Sequence, residues 1–429
     1  MLCAALKSIN SYASDHVLEY FQAKQRGSLN STLTAASLSS SQEEHSVMTA
    51  PNSHSSASEI WAESLTPVRR QLLLLACRVF GQGGSDRSNA PNDNPLPHSP
   101  SLALAFSRAG LYFNDVLLSS ADCHLLSSTM EVHQKSICKV VMSDCQLDDD
   151  GFEQLGAMLV RCSRLEHINL SGNPLTDRHV PHIWRTIITN QSTLRSLNVA
   201  YLQISSSGYA QLVPALVRCH NILQVALGNT HAKDMKTNTL VALVILAYCK
   251  KLHEPRFHFM IGDEGFATLL PLLISRPFSG LILQGAGLSS RSAPLVEHFL
   301  TVHHRWLSVF SVSNNCLTDT FLCRVAPSLM WCTLLERLFL DNTGLTSESL
   351  SVLACILASC LSLRFLGLDG NDFQVENETG STVFARAVGD SEKLLILSMP
   401  QKTFMNDRLA ELLASSAAGK PQLNFLYVS

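Results

Sequence analysis

The stretch Leu165-Glu-His-Ile168-Asn-Leu170-Ser-Gly-Asn173-Pro-Leu175 decides how this chain folds. Ile168 and Leu170 are spaced as on one face of a strand, because successive strand side chains point to opposite faces. Leu363-Arg-Phe-Leu366-Gly-Leu368-Asp-Gly-Asn371-Asp-Phe373 matches it at every position. Close variants start at Ile137, Leu194, Leu307 and Leu335, and weaker ones at Ile222, Leu252, Phe278 and Leu394. A final half copy is formed by Leu423, Leu426 and Val428. Successive starts lie 28, 29, 28, 30, 26, 29, 28, 28, 31 and 29 residues apart. A period this regular means stacked copies of one supersecondary unit.

Each strand motif is followed by a helical pattern, such as Gly151, Leu155, Leu159 or Gly208, Leu212, Leu216. The helix exit also recurs, with Leu159-Val-Arg-Cys162 identical to Leu216-Val-Arg-Cys219 and the same spacing at Leu329 to Cys332 and Leu357 to Cys360. The unit is therefore strand, loop, helix, and these cysteines belong to its packing. The chain has 13 cysteines but no CxxC pair, so buried free thiols are the expectation rather than metal ligands or a disulfide framework.

The motif, its helical second half and its period resemble the leucine-rich repeat family, specifically the ribonuclease-inhibitor-like class, over residues 137–429. The resemblance implies an α/β solenoid of about ten repeats plus a final strand, shaped as a horseshoe with a concave parallel sheet and convex helices. Two departures stand out. Pro255 occupies a core strand position and removes a ladder donor, so that copy should be distorted. The family's asparagine survives at Asn173, Asn315 and Asn371, becomes Cys145, Thr230 or Thr343 elsewhere, and is apolar at Leu202, Met260 and Ala286. That leaves the asparagine ladder incomplete over the third to sixth copies. Upstream, Leu104, Phe106, Ala109 and Leu111 hold the same offsets, which marks residues 101–136 as a degenerate capping repeat. Residues 1–100 are rich in serine, proline and glycine and form a flexible arm, interrupted by a short helix near 66–80.

The chain is 46% hydrophobic and has 35 acidic against 32 basic residues, a balance that suggests neither nucleic acid nor a strongly basic ligand as partner. No apolar run approaches the roughly 20 residues of a membrane helix, and the N-terminus is a poor secretory signal. These observations predict no membrane association and a cytoplasmic location. No phosphate loop, zinc-protease motif or nucleophile elbow is present, so no catalytic residue, cofactor or metal is predicted. The family includes Ran GTPase-activating proteins, but no residue carries over from them and the acidic tail is missing. The expectation is a non-enzymatic interaction scaffold of cytoskeletal, ciliary or regulatory type. A small-GTPase regulator or an inhibitor of a protein enzyme is the alternative.

A protein partner should meet the concave strand residues that flank the core leucines. Toward the C-terminus these include Arg337, Phe339, Arg364, Phe365, Ile396, Phe425 and Tyr427, which read as an exposed aromatic patch. A second candidate is His253, Arg256 and His258 beside Pro255. The final strand presents an apolar edge that a partner, a second copy of the chain or the 66–80 helix would cover.

Overall fold

The computed structural model describes residues 110–115, 117–131, 134–373, 378–400, 407–418, 420 and 422–428. The arm at 1–100 and its helix near 66–80 lie outside these residues. Among them, twelve strands pair in sequence order in one parallel sheet. They are β1 (Gly110–Asn114), β2 (Lys139–Ser143), β3 (His167–Asn169), β4 (Ser196–Ala200), β5 (Gln224–Gly228) and β6 (Glu254–Phe257), followed by β7 (Gly280–Ile282), β8 (Val309–Ser311), β9 (Arg337–Phe339), β10 (Phe365–Gly367), β11 (Ile396–Pro400) and β12 (Asn424–Val428). A helix follows each of the first eleven strands, from Ser120–Met130 to Asp407–Ala417, and packs against the helices of adjacent repeats. Helix starts are set locally, as where Asp148 Oδ1 accepts from Gly151 N at 2.7 Å. Ile168, Leu170, Leu366 and Leu368 are all buried, as their place in the motif demands.

The motif asparagines join neighbouring repeats. Asn173 Oδ1 accepts from Cys145 N at 3.1 Å and Leu147 N at 3.2 Å, while its Nδ2 donates to Met142 O at 2.7 Å and Leu170 O at 2.8 Å. Asn371 does the same for Thr343, Leu345, Leu340 and Leu368. The gap expected over the middle copies is partly filled from shifted positions. Asn229, one residue before Thr230, donates to Leu202 O and Ile204 O and accepts from Ala232 N at 2.9 Å. Asn238, from the following helix, reaches Ala232 O at 2.8 Å and Met260 O at 2.9 Å.

Two registers differ from those read in the sequence. β1 places Leu111 opposite Val140 and Phe113 opposite Met142, seven residues beyond the alignment on Leu104 and Phe106. Leu111, Phe113 and Leu118 satisfy the same apolar offsets as the earlier set, so periodicity alone could not separate the two; all three are buried. At the other end Phe425 pairs with Leu397 and Tyr427 with Met399, one residue from the alignment that put Leu426 opposite Leu397. Residues 423–428 have large apolar residues at both parities, so the pattern does not pin the register. Leu423, expected to lie uncovered, is buried.

Pro255 produces the expected distortion on one side only. β6 pairs with β5 at four positions but meets β7 only at Arg256 opposite Ile282, and the repeat between β6 and β7 is the 26-residue one.

Cys145, Cys162, Cys219, Cys332 and Cys360 are buried thiols, whereas Cys316, Cys323 and Cys355 are exposed. Burial pushes the thiols of Cys219, Cys332 and Cys360 up to about 12 and that of Cys162 to about 11. Peptide mapping after a brief pulse of thiol reagent near pH 8 should find label on the three exposed cysteines, and on the five buried ones only after denaturant. Replacing Asn173 by alanine strands two buried N–H groups and two carbonyls, and should lower unfolding free energy by about 3 kcal/mol in urea titration.

Candidate functional site

β6 begins the site. Alternation along the strand puts Glu254, Arg256 and, just past its end, His258 on the same face, away from the buried Phe257 and Phe259. Glu254 is buried and holds two neighbours: its Oε1 is 2.5 Å from Arg256 Nη2, and its Oε2 accepts from Gln224 Nε2 at 3.1 Å. It has room because β7 opens with Gly280, where a Cβ would come 2.8 Å from Glu254 Cγ. Arg337, the first residue of β9, is buried on the same face; burial lowers its pKa, and the nearby Glu254 charge opposes that. Two guanidiniums therefore share the field of one carboxylate.

Beside them lies a strained tyrosine. Tyr201 follows β4 with φ 58°, in the turn position that other repeats give to Asp144, Gly172, Gly285, Asn314, Asn342 and Gly370. The left-handed region costs a bulky residue about 1–3 kcal/mol and is a mark of sites where the surroundings enforce it. The Tyr201 hydroxyl is 2.8 Å from Gln284 Oε1 and 2.8 Å from His258 Nδ1, and the two rings stack at a tilt with centroids 4.8 Å apart. Gln284 Oε1 can only accept, so the hydroxyl donates to it and His258 Nδ1–H donates to the tyrosine oxygen. Imidazole Nε2 is left as the acceptor of a neutral ring. Burial holds His258 down to about 3, with the Arg256 charge as the second cause.

Tyr201, Arg256, His258, Gln284 and Arg337 line a cavity of about 480 Å³ in the hollow of the sheet, together with Ile282, Val309, Ser311, Phe339, Asp341 and Asp369. Sequence candidates from both groups meet here: Arg256 and His258 from one, Arg337 and Phe339 from the other. His253 is exposed and outside the lining. Arg364 and Ile396 are half-buried and also outside it. The expectation that Arg337 and Phe365 are exposed is corrected. Phe365 is only 2% exposed and Arg337 8%, and Phe339 packs on Phe365 with ring centroids 4.5 Å apart. Curvature brings side chains of adjacent strands together, so they cover one another. In the strand pairing Phe425 stands opposite Leu397 and Tyr427 opposite Met399, whereas Phe365 stands opposite Ile396.

Tyr201 and Gln284 were not picked out from sequence, and Glu254 was read there only as an outward residue beside His253, Arg256 and His258. The one available signal was a tyrosine where other copies carry glycine, asparagine or aspartate. No group of three or more His, Cys, Asp or Glu among the described residues could hold a metal ion. No helix among them is long and apolar enough to cross a membrane.

A family model described as Leucine Rich Repeat matches residues 164–185, which contain the motif at Leu165. The fold is a leucine-rich-repeat solenoid. Its repeats are similar to those of the mouse (Mus musculus) NACHT, LRR and PYD domains-containing protein 9C, at 22% identity over 69% of this chain and 26% of that protein. They are also similar to those of the mouse protein 14 of the same name, at 23% identity over 75% of this chain and 30% of that protein. This leucine-rich-repeat chain thus spans less than a third of the length of those relatives. Among solved structures, the yeast Rad7 and Elc1 complex aligns with a TM-score of 0.48 and 15% identity, covering 72% of this chain and 71% of that one.

The His258 environment can be tested by titration. Its lowered pKa means that the unfolded chain takes up a proton first as pH falls below about 6.5, so this residue's contribution to stability is complete above that pH and is lost on the way to about 3. In NMR titration, Arg256→Gln should raise the His258 pKa while leaving it below that of a free histidine, because burial is the larger cause.

Proposed function

We propose that this leucine-rich-repeat protein is a non-enzymatic scaffold that holds a segment of a partner protein in the hollow of its sheet. The observation that carries this is the cavity itself: about 480 Å³, with the guanidiniums of Arg256 and Arg337, a strained tyrosine and apolar Ile282, Val309 and Phe339 in one lining. Polar groups fixed before binding, next to apolar surface, are what a recognition site needs at low ordering cost. The relatives' names place similar repeats beside NACHT and PYD domains, an arrangement that suits a recognition module. We assign Arg256, His258, Arg337 and Phe339 to the contact surface, with Arg364 and Ile396 as its flank toward the C-terminal repeats. A regulatory or cytoskeletal assembly in the cytoplasm is the setting that fits such a scaffold of the ribonuclease-inhibitor-like class.

Photo-crosslinking distinguishes the concave face from the rest of the surface. A benzoylphenylalanine in place of Phe339 should capture a discrete cellular protein, and one in place of the helical, 59% exposed Leu240 should not. Arg256→Glu should cut the Phe339 crosslink about tenfold, the scale of a hot-spot residue. Equal capture from both positions, indifferent to Arg256→Glu, would place binding elsewhere.

A further inference from the structure

The cavity has a polarity that the scaffold role does not explain. Glu254 and Arg337 are the first residues of β6 and β9, and Arg256 lies on their side of the sheet. Asp341 and Asp369 stand two residues past the ends of β9 and β10. The hollow is therefore basic toward the start of the strands and acidic toward their ends. The acidic end is internally bonded: Asp341 Oδ2 accepts from Ser313 Oγ at 3.1 Å and Oδ1 from Asp369 N at 3.0 Å.

The basic end is less complete. Two guanidiniums face Glu254, whose oxygens are already divided between Arg256 Nη2 and Gln224 Nε2. Arg256 Nε is buried and has no hydrogen-bond partner. Nε and Nη2 form the edge of a guanidinium that grips an oxyanion with two parallel bonds. In Arg256 that edge is half used.

We propose that Arg256, with Arg337 beside it, is the receptor for an oxyanion carried on an extended segment of the partner protein: a glutamate or aspartate carboxylate, or a phosphorylated serine or threonine. This rests on the concave-face function proposed above and specifies the chemistry of its ligand. The incoming oxyanion takes the Nε–Nη2 edge and displaces part of the Glu254 contact. Ile282, Val309 and Phe339 pack against the rest of the segment, whose far end meets the aspartates and so favours a basic or amide-bearing residue there.

The test uses the full chain and three capped peptides, Ac-Gly-Ser-X-Ser-Gly-NH2, with X as glutamate, phosphoserine or glutamine. Binding is followed through the arginine Nε–H signals in ¹⁵N spectra. The glutamate or phosphoserine peptide should shift the Arg256 signal saturably and bind at least tenfold more tightly than the glutamine peptide; which of the two binds better identifies the oxyanion. Arg256→Gln should erase that preference. Glu254→Gln, which frees the guanidinium edge, should strengthen binding of the anionic peptides severalfold, whereas an arginine serving only the fold would gain nothing. Thermal midpoints of both variants show whether they fold. Equal binding of all three peptides, or weaker anion binding in a folded Glu254→Gln protein, overturns the proposal. It would leave the scaffold role standing if the Phe339 crosslink persists, and only loss of concave capture removes both.

Discussion

Nearest-neighbour burial is the constraint on which the rest of this molecule depends. A single strand and helix cannot shield its own leucines; Ile168 or Leu366 becomes buried only because the adjacent repeats lie against it. This is why the strands pair in strict sequence order and why the helices pack on their successive neighbours. The asparagines reinforce the same contact. Asn173 and Asn371 each tie their own turn to the backbone of the preceding repeat, satisfying polar groups that stacking would otherwise bury unpaired.

Where the repeat departs from its template, stacking still has to be achieved, and the adjustment creates the site. Pro255 and the shortened repeat after it weaken the β6–β7 pairing. Gly228, at φ 111°, lets the chain leaving β6 pass so close that a Cβ there would lie 2.5 Å from the His258 carbonyl carbon. That close passage positions His258 for the Tyr201 hydroxyl. Gly280 plays the matching part for Glu254. Two missing side chains on the strands that flank β6 thus open the middle of the sheet to a charged network that a regular copy, with its side chains in place, would exclude.

Desolvation gives that network its properties. Arg337, Glu254 and most of Arg256 lie away from water, where an ion keeps its charge only with good partners and where incomplete pairing is costly. The strain at Tyr201 has the same character, since its backbone is held by two side-chain bonds from distant strands.

The sequence by itself determined the architecture. Its period and its alternation are local properties repeated from copy to copy, and the helix-exit cysteines recur in several, so one copy predicts the packing of the next. Arg256, His258, Arg337 and Phe339 were also visible, as outward positions of their strands. Only the tertiary structure decided the registers of β1 and β12, because each segment contains apolar residues that satisfy two alignments and the choice is made by the neighbouring strand. It also decided that Phe365 is covered, that Arg256 and Arg337 share Glu254, and that Tyr201 meets a histidine 57 residues away. These contacts link strands up to three repeats apart through the curvature of the sheet. Curvature is a property of the whole stack, so no single repeat encodes them.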